Sequence, residues 1–485
     1  MTAPDHHATT ASPQPGAGDP TAPGTDADER AASTASAVDY DAIVVGAGIA
    51  GLSAAEALER AGLRVLVLEA RERVGGRTDG RQFASGTWIE MGGQWLGPTQ
   101  DEALALAERL GLETFTVYDE GQSLLFARGE RTTSDDDTFG LGPESGRAWA
   151  HLVEDIDSLA ARIDLAHPWA SPEAAALDAI TAAQWLADNC PDERARAFAH
   201  VMLGSIFAAD AETYSALHML FYLGSGGGLH RMMLTIGGAQ ESRVRGGTHQ
   251  LSERLAARLA GPIRLGEPVR AVEGWDGDGP VRVRTDRGNY TARDVVIALP
   301  PMLANRLEYA PRLPANRDIL ASQVIPGNVI KFQVEYERPF WREEGLSGTV
   351  LSLDHRVSLV YDNVVPDSDA GILVAFVEGH RARELNELPE GERARLVVGD
   401  LAAFFGPQSA APREVLQRNW SEEPFTRGCY GGRLGTGLWT SVGAHLAQPC
   451  DRIRWAGAET AQVWNGYIDG AIRSGQRAAA EVLGG

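Results

Sequence analysis

Val38-Asp39-Tyr40-Asp41-Ala42-Ile43-Val44-Val45-Gly46-Ala47-Gly48-Ile49-Ala50-Gly51 reads as an apolar strand that breaks into a glycine-rich turn and opens a helix. The helix carries Ala54, Ala57, Leu58 and Ala61 at helical spacing. Gly62 is placed to cap it, because the residue past a helix end often turns left-handed. A second apolar strand, Leu63-Arg64-Val65-Leu66-Val67-Leu68, ends in Glu69, 21 residues after Gly48. Each part has a physical reason. Gly46 makes the tight turn, Gly48 lets backbone approach a pyrophosphate, and Gly51 allows close helix–strand packing. The helix N-terminus at Ala50 attracts phosphate charge, and Glu69 accepts from a ribose hydroxyl. The glycines alone are a weak signal. Strand, helix, strand and acid in register point to a dinucleotide.

A length of 485 residues allows two or three domains at about 150 residues each. The net charge of −22 disfavours nucleic acid and anionic membrane as partners. Cys190, Cys429 and Cys450 are an odd, sparse set without a C-x-x-C pair, which fits a reducing, cytoplasmic setting better than a disulfide framework. No apolar run approaches the roughly 18 residues of a membrane span. No charged and apolar leader opens the chain. Residues 1–37, rich in Ala, Thr, Pro, Gly, Ser and Asp, are expected to be a disordered tail. No metal-ligand spacing and no hydrolase motif (G-x-S-x-G or H-E-x-x-H) is present.

Of 44 cationic side chains, 43 are arginine; Lys331 is the one lysine, set in Asn328-Val329-Ile330-Lys331-Phe332-Gln333-Val334. Composition alone favours chance survival. A buried lysine, unlike arginine, readily changes protonation. Around these landmarks the texture alternates. Residues 100–235 read as mainly helical, 262–299 as short strands, 328–378 as strands and 384–405 as helix. Asp294-Val295-Val296-Ile297-Ala298-Leu299 has the continuous apolar character of a buried parallel strand. The expected fold class is α/β with two domains interleaved in sequence.

Further motifs narrow the class. Arg71-Glu72-Arg73-Val74-Gly75-Gly76-Arg77, Glu90-Met91-Gly92-Gly93-Gln94-Trp95 and Trp455-Ala456-Gly457-Ala458-Glu459-Thr460 resemble the loops of flavin amine oxidases. Gly237-Gly238-Ala239-Gln240-Glu241, Gly266-Glu267-Pro268-Val269, Pro326–Lys331, Trp420–Tyr430 and Trp464-Asn465-Gly466-Tyr467 resemble, in order, further segments of the flavin monoamine oxidases, of the bacterial soluble type. The resemblance spans 40–483 and implies a Rossmann-like, glutathione-reductase-like FAD-binding domain of the amine oxidase type, interleaved with an α+β substrate domain. The FAD-binding parts would be 38–94, 245–319 and 423–485. The substrate-binding parts would be 95–244 and 320–422.

The resemblance assigns FAD contacts to Gly46, Gly48, Ala50, Gly51, Glu69, Ala70, Arg71, Gly76, Arg77, Gly92, Gly93, Gln94, Trp95, Val269, Trp420, Cys429, Gly457, Glu459, Thr460, Gly466, Tyr467 and Ile468. Val269 would hold the adenine through its backbone, and Glu459 would meet the ribityl chain. A helix over Gly466–Leu483 would lie beneath the flavin, with Gly470, Ala471 and Gly475 as small residues at the contact. Tyr430 and Tyr467 would flank the amine nitrogen as an aromatic cage. Gln240 would line the substrate pocket. Lys331 would face flavin N5 through a water and serve the reaction with O2, which overturns the chance reading of its survival. At Gly428-Cys429-Tyr430, the mitochondrial enzymes' pattern implies a thioether to the flavin 8α-methyl, whereas many bacterial relatives hold FAD without one; the covalent form is the one expected. With no apolar run before Gly485 like those enzymes' C-terminal membrane helix, a soluble, bacterial-type oxidase is expected.

The expected activity is oxidative deamination of a primary amine, aromatic or aliphatic, with O2 to aldehyde, ammonia and hydrogen peroxide. Polyamine, diamine and L-amino-acid oxidases are the alternatives within the superfamily. A non-catalytic flavoprotein is disfavoured by the two tyrosines and the lysine. The expected partners are a small amine and O2, with a homodimer left open.

Overall fold

A computed structural model of the chain describes residues 38–136, 138–366 and 368–484. The expected tail, 1–37, lies outside the described residues.

The opening motif folds as strand β1 (Tyr40–Val45), helix α1 (Ile49–Arg60) and strand β2 (Val65–Leu68). Gly62 adopts φ +88°, and Leu63 N donates to Leu58 O across the helix end. Ala61 falls beyond the helix and is exposed, so the apolar face is shorter than the spacing predicts. β1 lies between β2 and β3 (Asn289–Ile297), parallel to both. The sheet has eight strands, and Ile453–Trp455 pairs with β3 in parallel. Its central strands are apolar over Ala42–Val45, Val65–Leu68 and Val295–Ile297, where both faces are covered. Ala42, Val44, Val65, Val67 and Val296 face a core shared with α1 and the C-terminal helix. Ile43, Val45, Leu66, Leu68, Val295 and Ile297 face the opposite core. The period of two sorts one apolar run into two layers.

A second sheet of seven strands holds β4 (Val329–Tyr336) between Glu414–Asn419 and β5 (Gly371–Glu378). Ile330, Phe332, Val334 and Tyr336 pack with Val397, Leu401 and Phe404 of the Glu390–Phe405 helix. The alternate positions, Val329, Lys331 and Gln333, must then face the other way. On β5 the same alternation sends Leu373, Ala375 and Val377 to the helix side, and Val374, Phe376 and Glu378 to the face of Lys331. Every strand of the eight-stranded sheet lies within 38–94, 245–319 or 423–485, and every strand of the seven-stranded sheet within 95–244 or 320–422.

Two expectations need correction. The stretch 100–235 is not mainly helical throughout: Gln122–Ala127 and Glu130–Ser134 form a hairpin at the edge of the seven-stranded sheet. Leu124-Leu125-Phe126-Ala127 is too short a run to show a period, and its other partner, Leu346–Ser352, is far off in sequence. The C-terminal helix, α2 (Ile468–Gly484), starts two residues later than expected. Among the described residues no helix is long and apolar enough to cross a membrane.

Candidate active site

One cavity of about 520 Å³ runs from the glycine turn to the face of the seven-stranded sheet that carries Lys331. Of the residues assigned from sequence, all line it except Gly51, Glu459, Thr460, Gly470 and Gly475.

At the nucleotide end, Gly46 sits at φ +104°. A Cβ on Gly51 would stand 1.9 Å from the Gly46 carbonyl, so only glycine lets α1 close onto the turn. Gly48 is different: the nearest atom to an added Cβ is the Gly76 Cα at 3.9 Å. Two backbones thus frame an open cradle at the N-terminus of α1, whose first turn has no side-chain cap and no acidic residue. A phosphate fits there by charge and by shape. Glu69, 4% exposed, accepts from Ala47 N at 2.8 Å and Arg71 N at 2.9 Å. Each of its oxygens keeps a lone pair for a ribose hydroxyl. Val269, Arg71 and Thr426 also line the cavity, Arg71 donating to Thr426 Oγ1, while Trp420 packs with Val329, Phe376 and Cys429 toward the other end.

Glu459 stands behind the wall because both of its oxygens meet the Arg77 guanidinium at 2.8 Å. That fork leaves Arg77 held on the cavity side, where it also donates to the Tyr430 carbonyl. Thr460 Oγ1 turns back onto the Gly457 carbonyl at 2.9 Å. On α2 the small residues divide. Ala471 lines the cavity, but a Cβ on Gly470 would lie 2.1 Å from the Trp464 carbonyl and one on Gly475 2.1 Å from the Ala50 carbonyl. Those glycines serve backbone packing rather than the cofactor contact expected of them.

At the reaction end, Lys331 is 3% exposed. Burial pushes its ammonium down to about 7, against the opposing pull of Glu90. It donates to the Gly92 carbonyl at 2.9 Å and to Gln94 Oε1. Trp95 and Phe376 lie 5.8 and 5.7 Å from its nitrogen, measured to the ring centres. Tyr430 and Tyr467 share the cavity with it. Tyr467 packs edge-on against Trp464 at 4.9 Å. Burial, reinforced by Glu378, raises the Tyr430 hydroxyl well above the usual tyrosine range, so it remains a donor. Gln240 donates to the Met232 carbonyl at 3.1 Å, while its Oε1 is buried without a partner. An orphaned acceptor in a cavity wall is what a ligand N–H would satisfy. Cys429 is a buried free thiol in the same wall, raised to about 12 by burial.

The sequence reading missed Tyr222, Tyr361, Phe376 and Ser205, all of which line the cavity. It also missed Glu378, directly behind Tyr430 and Ser205. A lone carboxylate closing the apolar strand Gly371-Ile372-Leu373-Val374-Ala375-Phe376-Val377-Glu378 was a signal of the same kind as Lys331.

A dinucleotide cradle opening into a chamber of aromatic rings, with a depressed lysine on its wall, defines an oxidoreductase that pairs a flavin-type cofactor with a small substrate. The chain belongs to the flavin-containing amine oxidase family: the family model for flavin containing amine oxidoreductase matches residues 49–483. It is 34% identical to a probable flavin-containing monoamine oxidase A of Dictyostelium discoideum, over 91% of this chain and 97% of that protein. It is 38% identical to a putrescine oxidase of Kocuria rosea, over 94% and 98%. The solved structure of wild-type putrescine oxidase bound to putrescine superposes with a TM-score of 0.88 at 35% identity, covering 92% of this chain and 99% of that one. Membership implies FAD, and the glycine cradle, the free helix N-terminus and Glu69 fit it.

Proposed function

We propose that this chain oxidises primary amines, aromatic or aliphatic, with O2: R-CH2-NH2 + O2 + H2O gives R-CHO + NH3 + H2O2. The observation that carries the reading is the continuity of the cavity from the Gly48 cradle to Lys331, Tyr430 and Tyr467. FAD, when bound, supplies the two-electron acceptor. The protein supplies orientation, exclusion of water and charge. Segments 38–94, 245–319 and 423–485 would hold the cofactor, and 95–244 with 320–422 would shape the substrate side. Tyr430 and Tyr467 present ring faces to the amine carbon and nitrogen. Gln240 Oε1 offers an acceptor to an amine N–H. Lys331 stands on the oxygen side, where an amine near its midpoint at about 7 can hold a water or a charge as O2 is reduced.

We further propose a thioether between Cys429 Sγ and the 8α carbon. It replaces one S–H and one C–H, and O2 takes up the two hydrogens and two electrons as H2O2. Support comes from the position of Cys429 on the cavity wall.

One observation favours a diamine as a second reading. Glu378 is a buried carboxylate one hydroxyl away from the cavity at both Tyr430 and Ser205, and its charge would favour a second ammonium. A peroxide-coupled screen of benzylamine, aliphatic monoamines, putrescine and amino acids tests both readings. Turnover of monoamines supports the first and a strong preference for putrescine the second. No turnover of any amine by FAD-loaded protein contradicts both.

A further inference from the structure

Behind Lys331 the buried carboxamides run in one direction. A charged lysine donates and cannot accept, so Gln94 must turn its oxygen toward Lys331. Gln94 Nε2 then donates to Asn363 Oδ1 at 2.7 Å. Asn363 Nδ2 donates to Gln333 Oε1 at 2.9 Å, and Gln333 Nε2 to the Glu90 carbonyl at 2.8 Å. A donor at one end and a backbone carbonyl at the other fix every amide. Turning one over would set N–H against N–H or oxygen against oxygen.

Arg243 clamps the far end. It donates to the Asn363 carbonyl at 3.0 Å and meets Glu90 Oε2 at 2.5 Å. Trp88 and Phe115 flank its guanidinium at 5.3 and 5.4 Å. Gln94, Asn363, Gln333, Glu90 and Arg243 are each at most 1% exposed. Apolar side chains would join these segments without the desolvation of five polar groups. A mere adhesive has no reason to point every donor one way and to begin at the single lysine.

We propose that Gln94, Asn363 and Gln333 are positioning residues for Lys331: a directed carboxamide chain, anchored on Glu90 and Arg243, that aims the amine into the cavity. The importance of that aim rests on the reading of Lys331 as the oxygen-side residue, but the chain itself is open to a separate test. Besides burial, the charged or titratable groups acting on the amine are Glu90, which favours the ammonium, Arg243, which opposes it, and Cys429. The Gln94 oxygen adds a bond that is stronger to the charged form.

The composition provides the probe. With one lysine in 485 residues, protein labelled with ε-13C lysine has a single lysine resonance, readable without cofactor. In the wild type that resonance should titrate far below free lysine. Asn363→Leu frees Gln94 to rotate away, so the midpoint falls and the line broadens. Asn363→Asp keeps the shape and the acceptor for Gln94, puts an oxygen where the donor to Gln333 stood and adds a carboxylate, so the midpoint rises by about one pH unit. The isosteric variant remains readable even where the leucine variant does not fold. Opposite shifts support the chain. A midpoint unmoved by Asn363→Asp overturns it, because packing alone would be preserved. O2 kinetics distinguish the two readings: opposite NMR shifts with an unchanged O2 step would leave the chain standing and remove the oxygen role of Lys331.

Discussion

The Tyr430 hydroxyl donates to a carboxylate oxygen of Glu378 at 3.0 Å, while the Ser205 and Ser358 hydroxyls take its other oxygen at 2.8 and 2.6 Å. Three hydroxyl donors suit the anion, and among the described residues no ion pair neutralises it. Arg381 lies close enough to pull the carboxyl down, but its guanidinium donates to the Ser352 and Leu353 carbonyls. The ring expected to face the amine is therefore held by a buried carboxyl group.

Burial raises Glu378 above the usual glutamate range, against the pull of its hydroxyl donors. A carboxyl raised in the fold holds its proton there at pH values where the unfolded chain has lost it. Stability attributable to this group therefore falls as pH rises from the ordinary value through the raised one. Glu378→Gln should be at least as stable as wild type at pH 8 by thermal melts. In activity the sign reverses: as pH falls through the raised value, Tyr430 loses its anionic acceptor and amine oxidation slows. The glutamine variant should lose that acid limb and about tenfold in the rate of reduction by amine. An acid limb that survives in Glu378→Gln would rule out this assignment.

Tyr430→Phe keeps the ring and removes only the bond to Glu378. It should slow anaerobic bleaching of the flavin by amine about tenfold. Tyr430→Ala and Tyr467→Ala, which remove ring faces, should slow it by about a hundredfold or more, with the O2 step little changed. Rapid-mixing absorbance separates the two steps. An effect confined to the O2 step would place these rings elsewhere in the mechanism.

Lys331→Met should slow the O2 step by at least about tenfold and leave anaerobic bleaching nearly unchanged. With the ammonium pushed down to about 7, the O2 step should titrate near that pH in wild type and be flat in the methionine variant. Stability is linked in the opposite sense to Glu378. A lysine depressed in the fold binds fewer protons there than when unfolded, so stability should rise with pH from about 7 toward the ordinary lysine value. Equal losses in both kinetic steps would contradict the assignment.

The two inner glycines should behave differently. Gly51→Ala drives a Cβ into the Gly46 carbonyl and should destabilise the fold by several kcal/mol, about 3 or more on the scale of severe overpacking. Gly48→Ala meets open space in the cofactor-free chain. It should therefore fold normally and lose FAD affinity by at least about tenfold. Calorimetric melts and FAD titration measure the two. Normal FAD binding by Gly48→Ala would mean the pyrophosphate lies elsewhere.

Cys429 is tested by acid precipitation of the holoprotein. Yellow colour should travel with the pellet in wild type and with the supernatant in Cys429→Ala. Colour wholly in the wild-type supernatant excludes the thioether.

The nucleotide half was legible in sequence because its constraints are local. Gly46, Gly48, Gly51 and Glu69 answer to turn geometry and backbone contact within one strand–helix–strand unit. Lys331 stood out as one ammonium among 43 arginines, but composition alone favoured chance, and its role was legible only through the resemblance carried by Pro326–Lys331. Glu378, Tyr361 and Phe376 were not, because which face of a strand meets the cavity is settled by the layer packed on the other side. Ile330 and Val377 had to find the helix at 390–405 before Lys331 and Glu378 could share the opposite face of the sheet. Gly470 and Gly475 misled for a related reason: small residues on α2 suit a flavin and a neighbouring backbone equally, and only the contacts with Trp464 and Ala50 separate the two.

The most direct measurement is anaerobic mixing of FAD-loaded protein with benzylamine, an aliphatic monoamine and putrescine, followed by admission of O2. The account predicts that at least one of these amines bleaches the yellow absorbance and that O2 restores it with one H2O2 per amine consumed. Absorbance unchanged by every amine, in protein that holds FAD, would contradict it.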